Sequence, residues 1–474
     1  MASERILGIV TSVRKAQQHK DNIYVAITQN ASYSFKCGAV LGLLDKIEAE
    51  RSALESGFVP LESAGAHGKA KKSEYRALLK KLMACIKTQE KQSLEVPVSE
   101  LKKPTRSMHA KLKRAAAKFA AALATGAPIV VRFHNDCDGA SGAIGIQLAV
   151  SHVQKVLRME EAAITFRMNR SVAYFEDSYY SDYAFTSAYE SMEKPVLLIT
   201  DFGTMTDSEP AMKAASGKCT IIWLDHHPVY KEFPAELVDF YVNTWNFRSD
   251  SDYTAGFLAC VFARHLAPVD TTVLMEASLI SDFSVHGKRD NQEYERMAAF
   301  LDYMTSRHST SENLTPKYLL SIISDKERYS ETCERASTLM NEALDFGVKS
   351  VKHHKTKSGF SIFVLDYDTV VRSEDFPLPG RYSSRLHDRL EKVNMARGVT
   401  LVHYGNYISV RSDRGIAKAL DLHALMGDLK KETDYVHSFG GHGPALSVRV
   451  DRDHVEDVLS MLVTLLSSKQ VTLK

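Results

Sequence analysis

A chain of 474 residues, 44% hydrophobic and 25% charged, is too long for one ordinary domain and has the make-up of a globular protein, so two or three domains are expected. No run of about 18 apolar residues occurs and Met1-Ala2-Ser3-Glu4-Arg5 opens no signal-peptide pattern, which argues against a transmembrane helix or a secretory leader. The cysteines (Cys37, Cys85, Cys137, Cys219, Cys260, Cys333) lack CxxC spacing, which disfavours a disulfide frame or zinc ribbon and fits a reducing cytoplasm, while the net charge of +2 excludes little.

The first elements are β-branched. Residues 5–13 and 23–28, with 33–40, predict a small β unit. Residues 41–62 read as a helix and 63–72 as a Gly/Ala/Lys linker. Helices are predicted at 73–92 and 106–124, separated by Pro97 and Pro104. No acid lies between Glu100 and Asp136, whereas Lys102, Lys103, Arg106, Lys111, Lys113, Arg114, Lys118 and Arg132 do. Such a stripe can hold phosphates, or it is a solvated helix face. Residues 1–124 thus read as an N-terminal extension, a β unit followed by basic helices.

From Ala127 the rhythm changes. Strands at 128–133, 163–167, 195–200 and 219–224 and an extended stretch at 238–243 alternate with helices at 139–157, 207–216, 254–267 and 270–281. Continuous apolar strands between helices predict an α/β domain over 125–290, doubly wound around a mostly parallel sheet. Ligands of such sheets sit beyond the carboxyl ends of the strands. Residues 291–355 read as a helical connector ending in the basic run Lys349–Lys355, where His353-His354 reads as an exposed helix end. Residues 356–474 predict a smaller α+β domain, with strands at 359–365, 399–404, 406–411 and 445–450 and helices at 379–392, 415–429 and 453–467.

Three of the central strands run into Asp or His: His134-Asn-Asp136-Cys-Asp138-Gly139, Asp201, and Asp225-His226-His227-Pro228. Asp282 instead closes a helix-like run and approaches from the side. Each piece alone reads as a cap or a turn; together they converge on one end of one sheet. Phosphoryl hydrolysis at neutral pH suits a pair of divalent ions about 3.5–4 Å apart, which need several carboxylates with imidazoles completing the shells. Alternate residues of His134-x-Asp136-x-Asp138 face one side of an extended segment. Mixed nitrogen and oxygen donors favour manganese over magnesium.

This ordered set resembles the four motifs of the DHH phosphoesterase superfamily, and Ser438-Phe-Gly440-Gly441-His442 resembles the GGH signature of its associated C-terminal domain. The resemblance covers about residues 125–470 and is nearest to archaeal RecJ-like nucleases, where a His-x-Asp-x-Asp-Gly motif is usual. It implies that His134, Asp136 and Asp201 hold one metal, and that Asp138, Asp201, His226 and Asp282 hold the other, with Asp201 bridging. It further implies that His227 faces the substrate phosphate and Asp225 orients the histidines. In the C-terminal domain it implies a backbone approach to phosphate or sugar at Gly440 and Gly441, His442 at the substrate end, and Arg411 gripping a phosphate beside Ser409 and Ser412. Residues 1–124 carry no resemblance.

The GGH domain argues against a pyrophosphatase, and the intact carboxylates against inactive relatives that serve as helicase subunits. The basic region 101–118, with Lys349–Lys355, favours a polymer over a mononucleotide. Bases could stack on Tyr174, Phe175, Tyr179 and Tyr180. The first reading is an exonuclease on single-stranded DNA or RNA that releases nucleoside monophosphates. A phosphodiesterase for very short oligonucleotides, or a nucleotide phosphatase, is the second. A replication or repair scaffold that binds partner proteins through residues 1–124, with secondary nuclease activity, is the third.

Overall fold

The computed structural model describes residues 5–16, 22–37, 41–50, 58–59, 65–90, 105–159, 161–171, 173–202, 206–229, 233–247, 251–307, 314–370, 376–394, 397–442 and 444–469. It divides into two compact units, residues 1–295 with 311–321, and residues 296–310 with 322–474. Lys102 and Lys103 of the basic stripe lie outside the described residues.

The chain starts with β1 (Arg5–Arg14), β2 (Ile23–Ile27), β3 (Ser32–Cys37), β4 (Asp45–Glu50), β5 (Phe58–Val59) and β6 (Gly65–Lys69). The long β1 pairs antiparallel with β4 through Arg5–Ile9 and with β2 through Ile9–Arg14, bending at a bulge between Val10 and Ser12. Next, β2 pairs antiparallel with β3, β3 pairs parallel with β5, and β4 pairs antiparallel with β6. Because β5 and β6 follow one another in the chain, the sheet curls back on itself around Val10, Val13, Tyr24, Tyr33, Phe35 and Ile47. The first strand is thus shared between the two halves of this small curled sheet, an incomplete barrel of six strands among the described residues. The helix expected over 41–62 is not formed at 45–50 or 58–59. Ile47 and Ala49, two residues apart, are both buried in the barrel, so the period is that of a strand. Part of the expected linker is likewise strand β6.

Two helices follow, α1 (Lys72–Glu90) and α2 (Thr105–Thr125), and both pack on β2. They bury Val25 and Ile27 on the outer face of the barrel. Thr11 of β1 donates its hydroxyl to the Thr125 carbonyl at 2.8 Å, tying the barrel to the end of α2 just before the central sheet begins.

The chain continues through β7 (Ile129–His134), α3 (Cys137–Leu157), β8 (Ile164–Asn169), α4 (Glu176–Thr186), β9 (Tyr189–Ser191), β10 (Val196–Thr200), α5 (Glu209–Ala215), β11 (Thr220–Asp225), β12 (Phe240–Asn243), α6 (Ala255–Leu266) and α7 (Thr272–Ser281), and all of these strands but β9 form the central sheet. Its order is β12-β11-β10-β7-β8, and every neighbouring pair is parallel. Strand order reverses between β7 and β10, so the crevice of this doubly wound sheet opens there. On one face, α3 packs with α6 and α7. On the other, Val130, Leu197, Ile199, Ile221 and Trp223 pack with Tyr174, Tyr179, Met212 and Tyr241.

Several side-chain expectations change in this sheet. Tyr174 and Tyr179 are core residues, whereas Phe175, Tyr180 and Tyr183 are 46%, 58% and 47% exposed. Helix α4 and strand β9 escape the sequence reading, and β9 pairs with β1 of the barrel, not with the central sheet. Arg132 leaves the basic stripe. It is buried and grips both carboxylate oxygens of Asp182, at 2.6 and 2.9 Å. Lys118 pairs with Glu193 at 3.0 Å, and Lys111 is half-buried. Arg106, Lys113 and Arg114 are exposed.

The remaining elements are α8 (Gln292–Arg307), α9 (Pro316–Ser324), α10 (Lys326–Ser350), β13 (Lys352–Lys355), β14 (Ser361–Asp366), α11 (Pro379–Asn394), β15 (Gly398–Tyr404), β16 (Tyr407–Ser412), α12 (Arg414–Leu420), α13 (Leu422–Glu432), β17 (Val436–His442), β18 (Ala445–Val450) and α14 (Val455–Ser468). The sheet of the second unit has the order β13-β14-β15-β16-β18-β17, with only β14–β15 parallel. Helix stops at Ser350: Lys352-His353-His354-Lys355 is an exposed edge strand, and His353 stacks on Phe363. A lysine at each end of this edge discourages pairing with another chain.

Candidate metal centre

Register alone brings the predicted ligands to one level. Thr200, the last residue of β10, is paired with Phe133 on one side and Leu224 on the other. Asp201, His134 and Asp225 therefore follow side by side at the carboxyl edge. Asp201 leaves the strand with a left-handed backbone (φ 69) while its N–H still donates to the Leu224 carbonyl at 3.1 Å. That turn keeps the carboxylate at the edge and 2% exposed.

Two groups of donors meet around it. His134, Asp136 and Asp201 form one, and Asp138, His226 and Asp282 the other, while a third, overlapping set joins Asp201 to Asp225, His226 and His227; within each, one ligand atom per residue lies within 4.8 Å of the rest. Nδ1 of His134 stands 3.0 Å from Oδ2 of Asp136 and 3.7 Å from Oδ2 of Asp201. Nε2 of His226 faces Asp282 Oδ2 at 3.3 Å, Asp201 Oδ1 at 3.5 Å and Asp138 Oδ2 at 3.8 Å. Asp201 thus presents one oxygen toward each group. Asp282 caps the end of α7 and enters from the side of the sheet.

The surrounding chain sets each side chain. Asp136 is the N-cap of α3, accepting the Gly139 N–H through Oδ1 at 3.0 Å, which leaves Oδ2 toward His134. Nδ1 of His226 lies 3.2 Å from the Ser251 carbonyl, which can only accept. The hydrogen of His226 therefore sits on Nδ1, and its Nε2 lone pair points at the three carboxylates. Trp245 and Ser251 both donate to the His226 carbonyl. Asp225, fully buried, accepts the backbone N–H groups of His226 and His227 and the Nδ1–H of His227, all through Oδ1. The His227 ring, 43% exposed, is left with Nε2 outward.

The electrostatics are those of a crowd of like charges. Burial first, then Asp136, Asp138 and Asp282, holds Asp201 well above the usual carboxylate range. Burial and Asp282 push Asp138 up to about 6 against the pull of His226. Burial works to raise Asp225 too, but the charge and hydrogen bond of His227, together with His226 and its backbone N–H, outweigh it and leave this carboxyl below its ordinary value. Three buried acceptors of this cluster, Asp201 Oδ2, Asp225 Oδ2 and His226 Nε2, have no hydrogen-bond partner. Buried polar atoms are seldom left so, and carboxylate with neutral imidazole is the donor set of a divalent cation. The residues fit such an ion.

Sequence reading missed the support around Asp138. Its oxygens accept the N–H groups of Ala255 and Gly256 at the start of α6 and the hydroxyl of Ser278, which contacts Thr254. Gly256 is required there, since a Cβ would lie 2.3 Å from the Asp138 carbonyl oxygen. A signal was present in Ser278, a polar residue one helical turn before Asp282 in a largely apolar run.

The other predicted residues belong to the second unit. Arg411 donates to the Ser384 hydroxyl and to the carbonyls of Val410, Leu446 and Gly380, so its guanidinium is engaged within its own domain. Ser409 and Ser412 are buried in β16. Gly440 and Gly441 lie in β17, paired with Ser447 and Leu446. Gly441 has φ 119, and a Cβ there would stand 2.3 Å from the Ala445 carbonyl oxygen. The His442 side chain lies outside what is described.

Comparison with known proteins fits this architecture. No family model matches the chain. An uncharacterized protein of Methanocaldococcus jannaschii is 21% identical over 438 residues, which cover 81% of this chain and 55% of that protein. The chain therefore spans about half the length of the curated relative it matches. Among solved structures, the DHH domain of a protein described as a member of a ribosomal protein family superposes with a TM-score of 0.68 at 20% identity, over 84% of this chain and 100% of that one. RecJ from Thermus thermophilus, in complex with Mn2+, superposes with a TM-score of 0.52 at 14% identity, over 85% of this chain and 62% of that one. The parallel sheet, its switch point and the α+β second unit are thus a fold this chain shares with that DHH domain and with RecJ.

Proposed function

We propose that this chain is a metal-dependent phosphodiesterase, and specifically an exonuclease that removes nucleoside monophosphates from single-stranded DNA or RNA. The observation that carries the reading is the pair of donor groups meeting at Asp201, with Asp201 Oδ2 and His226 Nε2 buried and unpartnered. His134, Asp136 and Asp201 would hold one divalent ion, and Asp138, Asp201, His226 and Asp282 a second. Such ions supply Lewis acidity and neutralise charge on a phosphate. The two imidazoles favour manganese over magnesium. His227, with Nδ1–H fixed on Asp225, offers Nε2 to a phosphate oxygen or leaving group at the open side. Among the described residues no helix is long and apolar enough to cross a membrane.

Two features support a polymeric substrate. Arg106, Lys113 and Arg114 are exposed on α2, where no acid intervenes. Phe175, Tyr180 and Tyr183 are exposed on and beside α4, and Lys218 lies 5.5 Å from the Tyr183 ring centre. Gly440, Gly441 and His442 are the candidates for the substrate end, with Ser409 and Arg411 in register two strands away in the same sheet.

A length series of end-labelled DNA and RNA single strands, digested with Mn2+ and with Mg2+, tests this. Progressive release of mononucleotides from long strands is expected. Activity confined to dimers through pentamers would replace it with the short-oligonucleotide reading. Retained capture of a replication or repair protein by a catalytically dead Asp201→Asn chain, lost on altering the barrel surface, would favour the scaffold reading.

A further inference from the structure

The two oxygens of Asp138 are not equivalent. Oδ1 accepts the Gly256 N–H at 3.0 Å and the Ser278 hydroxyl. Oδ2 accepts the Ala255 N–H at 3.0 Å and faces His226 Nε2. The hydrogens can be traced. An ionised carboxylate only accepts, so Ser278 spends its single hydrogen on Asp138. The Thr254–Ser278 contact must then run from the Thr254 hydroxyl to Ser278 Oγ. Thr254 Oγ1 in turn accepts the Phe257 N–H at 3.3 Å, as the N-cap of α6. A one-way relay thus starts on a free N–H of the first turn of α6 and ends on Oδ1 of Asp138.

We propose that Thr254 and Ser278 are positioning residues for the metal centre: they saturate Oδ1 and leave Oδ2 as the one oxygen through which Asp138 binds a cation shared with His226 and Asp282. Each carboxylate oxygen carries two acceptor sites. Those of Oδ1 are filled, and one of the two on Oδ2 is filled by Ala255. The remaining site lies on the side of the unpartnered His226 Nε2. The positive end of α6 favours the ionised carboxylate that this binding needs. Two-oxygen binding by Asp138 would require breaking the Ser278 bond, so the relay also fixes how many ligands the second site offers. Every member is buried, which makes the arrangement independent of solvent.

The inference rests on the metal reading given above, and the test separates the two. Mn2+ binding to the metal-free full chain is measured by titration calorimetry for the wild type, Ser278→Ala, Thr254→Val, Thr254→Ser and Asp201→Asn, with unfolding midpoints recorded in EDTA. Groups that orient metal ligands typically contribute 10–100-fold to affinity, so Ser278→Ala is expected to weaken Mn2+ binding by about that factor. Thr254→Val should weaken it less, and Thr254→Ser, which keeps the hydroxyl, should bind as the wild type does. A role confined to holding α3, α6 and α7 together would lower the EDTA midpoint and leave Mn2+ affinity unchanged; that result overturns the inference. If Ser278→Ala does not fold, Thr254→Val decides, and wild-type affinity in that variant overturns it equally. Loss of Mn2+ uptake in Asp201→Asn alone would leave the metal reading standing without the relay. A wild type that takes up no Mn2+ removes both.

Discussion

Replacing Asp201 by Asn should make the metal-free protein more stable and the metal-loaded protein no more stable than before. The left-handed backbone at this position suits Asn and strains Ala, so Asn isolates the charge. Ligand atoms of Asp201, Asp136 and His134 lie within 4.8 Å of one another. Two carboxylate charges at that separation repel by about 3 kcal/mol at an effective dielectric of about 20. The wild-type carboxyl escapes part of this cost by taking up a proton, so a gain of about 1–3 kcal/mol is expected for Asn in EDTA. Wild type should recover about 2.7 kcal/mol at a Mn2+ concentration 100 times its dissociation constant, and the variant little of it. Urea unfolding reads this directly, because the chain's two tryptophans, Trp223 and Trp245, both lie in the first unit, and Trp245 donates to the carbonyl of His226. A variant less stable than wild type in EDTA, yet equally stabilised by Mn2+, would refute the account of Asp201 as the shared carboxylate.

Three further outcomes are expected. His227→Gln should lower turnover by at least about 100-fold and leave Mn2+ uptake near wild type, since its Nε2 points outward; unchanged turnover would exclude it from the chemistry. Arg132→Met should destabilise by less than the about 3–5 kcal/mol of a buried charge left alone, because Arg167 at 3.1 Å and the Tyr174 hydroxyl at 2.9 Å still hold Asp182; a loss of that full size in urea unfolding would show that Arg132 alone balances the carboxylate. His265 is packed against His109, and burial, then the His109 and Lys113 charges, pushes its pKa down to about 4. The unfolded chain therefore binds the extra proton between about pH 6.5 and 4, and stability should fall as pH drops through that window, by about 2 kcal/mol at pH 5. His265→Leu should flatten that dependence in urea midpoints, and an unchanged slope would assign it to other groups.

Much of this protein can be read without its structure because apolar strands alternate with helices from Ala127, and such alternation permits few architectures. His134, Asp136, Asp201 and His226 stand out because polar residues at the ends of buried strands are costly unless something uses them, and Asp138 and Asp282 because they stand beside apolar helical runs. Failures fall where the local signal is ambiguous. Lys46-Ile47-Glu48-Ala49 has good helix formers but a strand's period, and only pairing with β1 decides between them. Arg132 counts as a surface cation until its buried partner Asp182, 50 residues away, is seen. The aromatic run around α4 divides into core and surface residues only once the sheet beneath it is in place.

The sequence by itself determines which residues can bind a cation and, through the spacing of strands and helices, that they arrive at one edge of one parallel sheet. Tertiary structure alone decides what each carboxylate oxygen is free to do. That depends on groups far away in the chain: Ala255, Gly256 and Ser278 fill three acceptor sites of Asp138, and Ser251 settles which nitrogen of His226 carries the hydrogen. The Asp138 contacts join α3, α6 and α7 across more than a hundred residues, and no local pattern of residues encodes a hydrogen-bond direction.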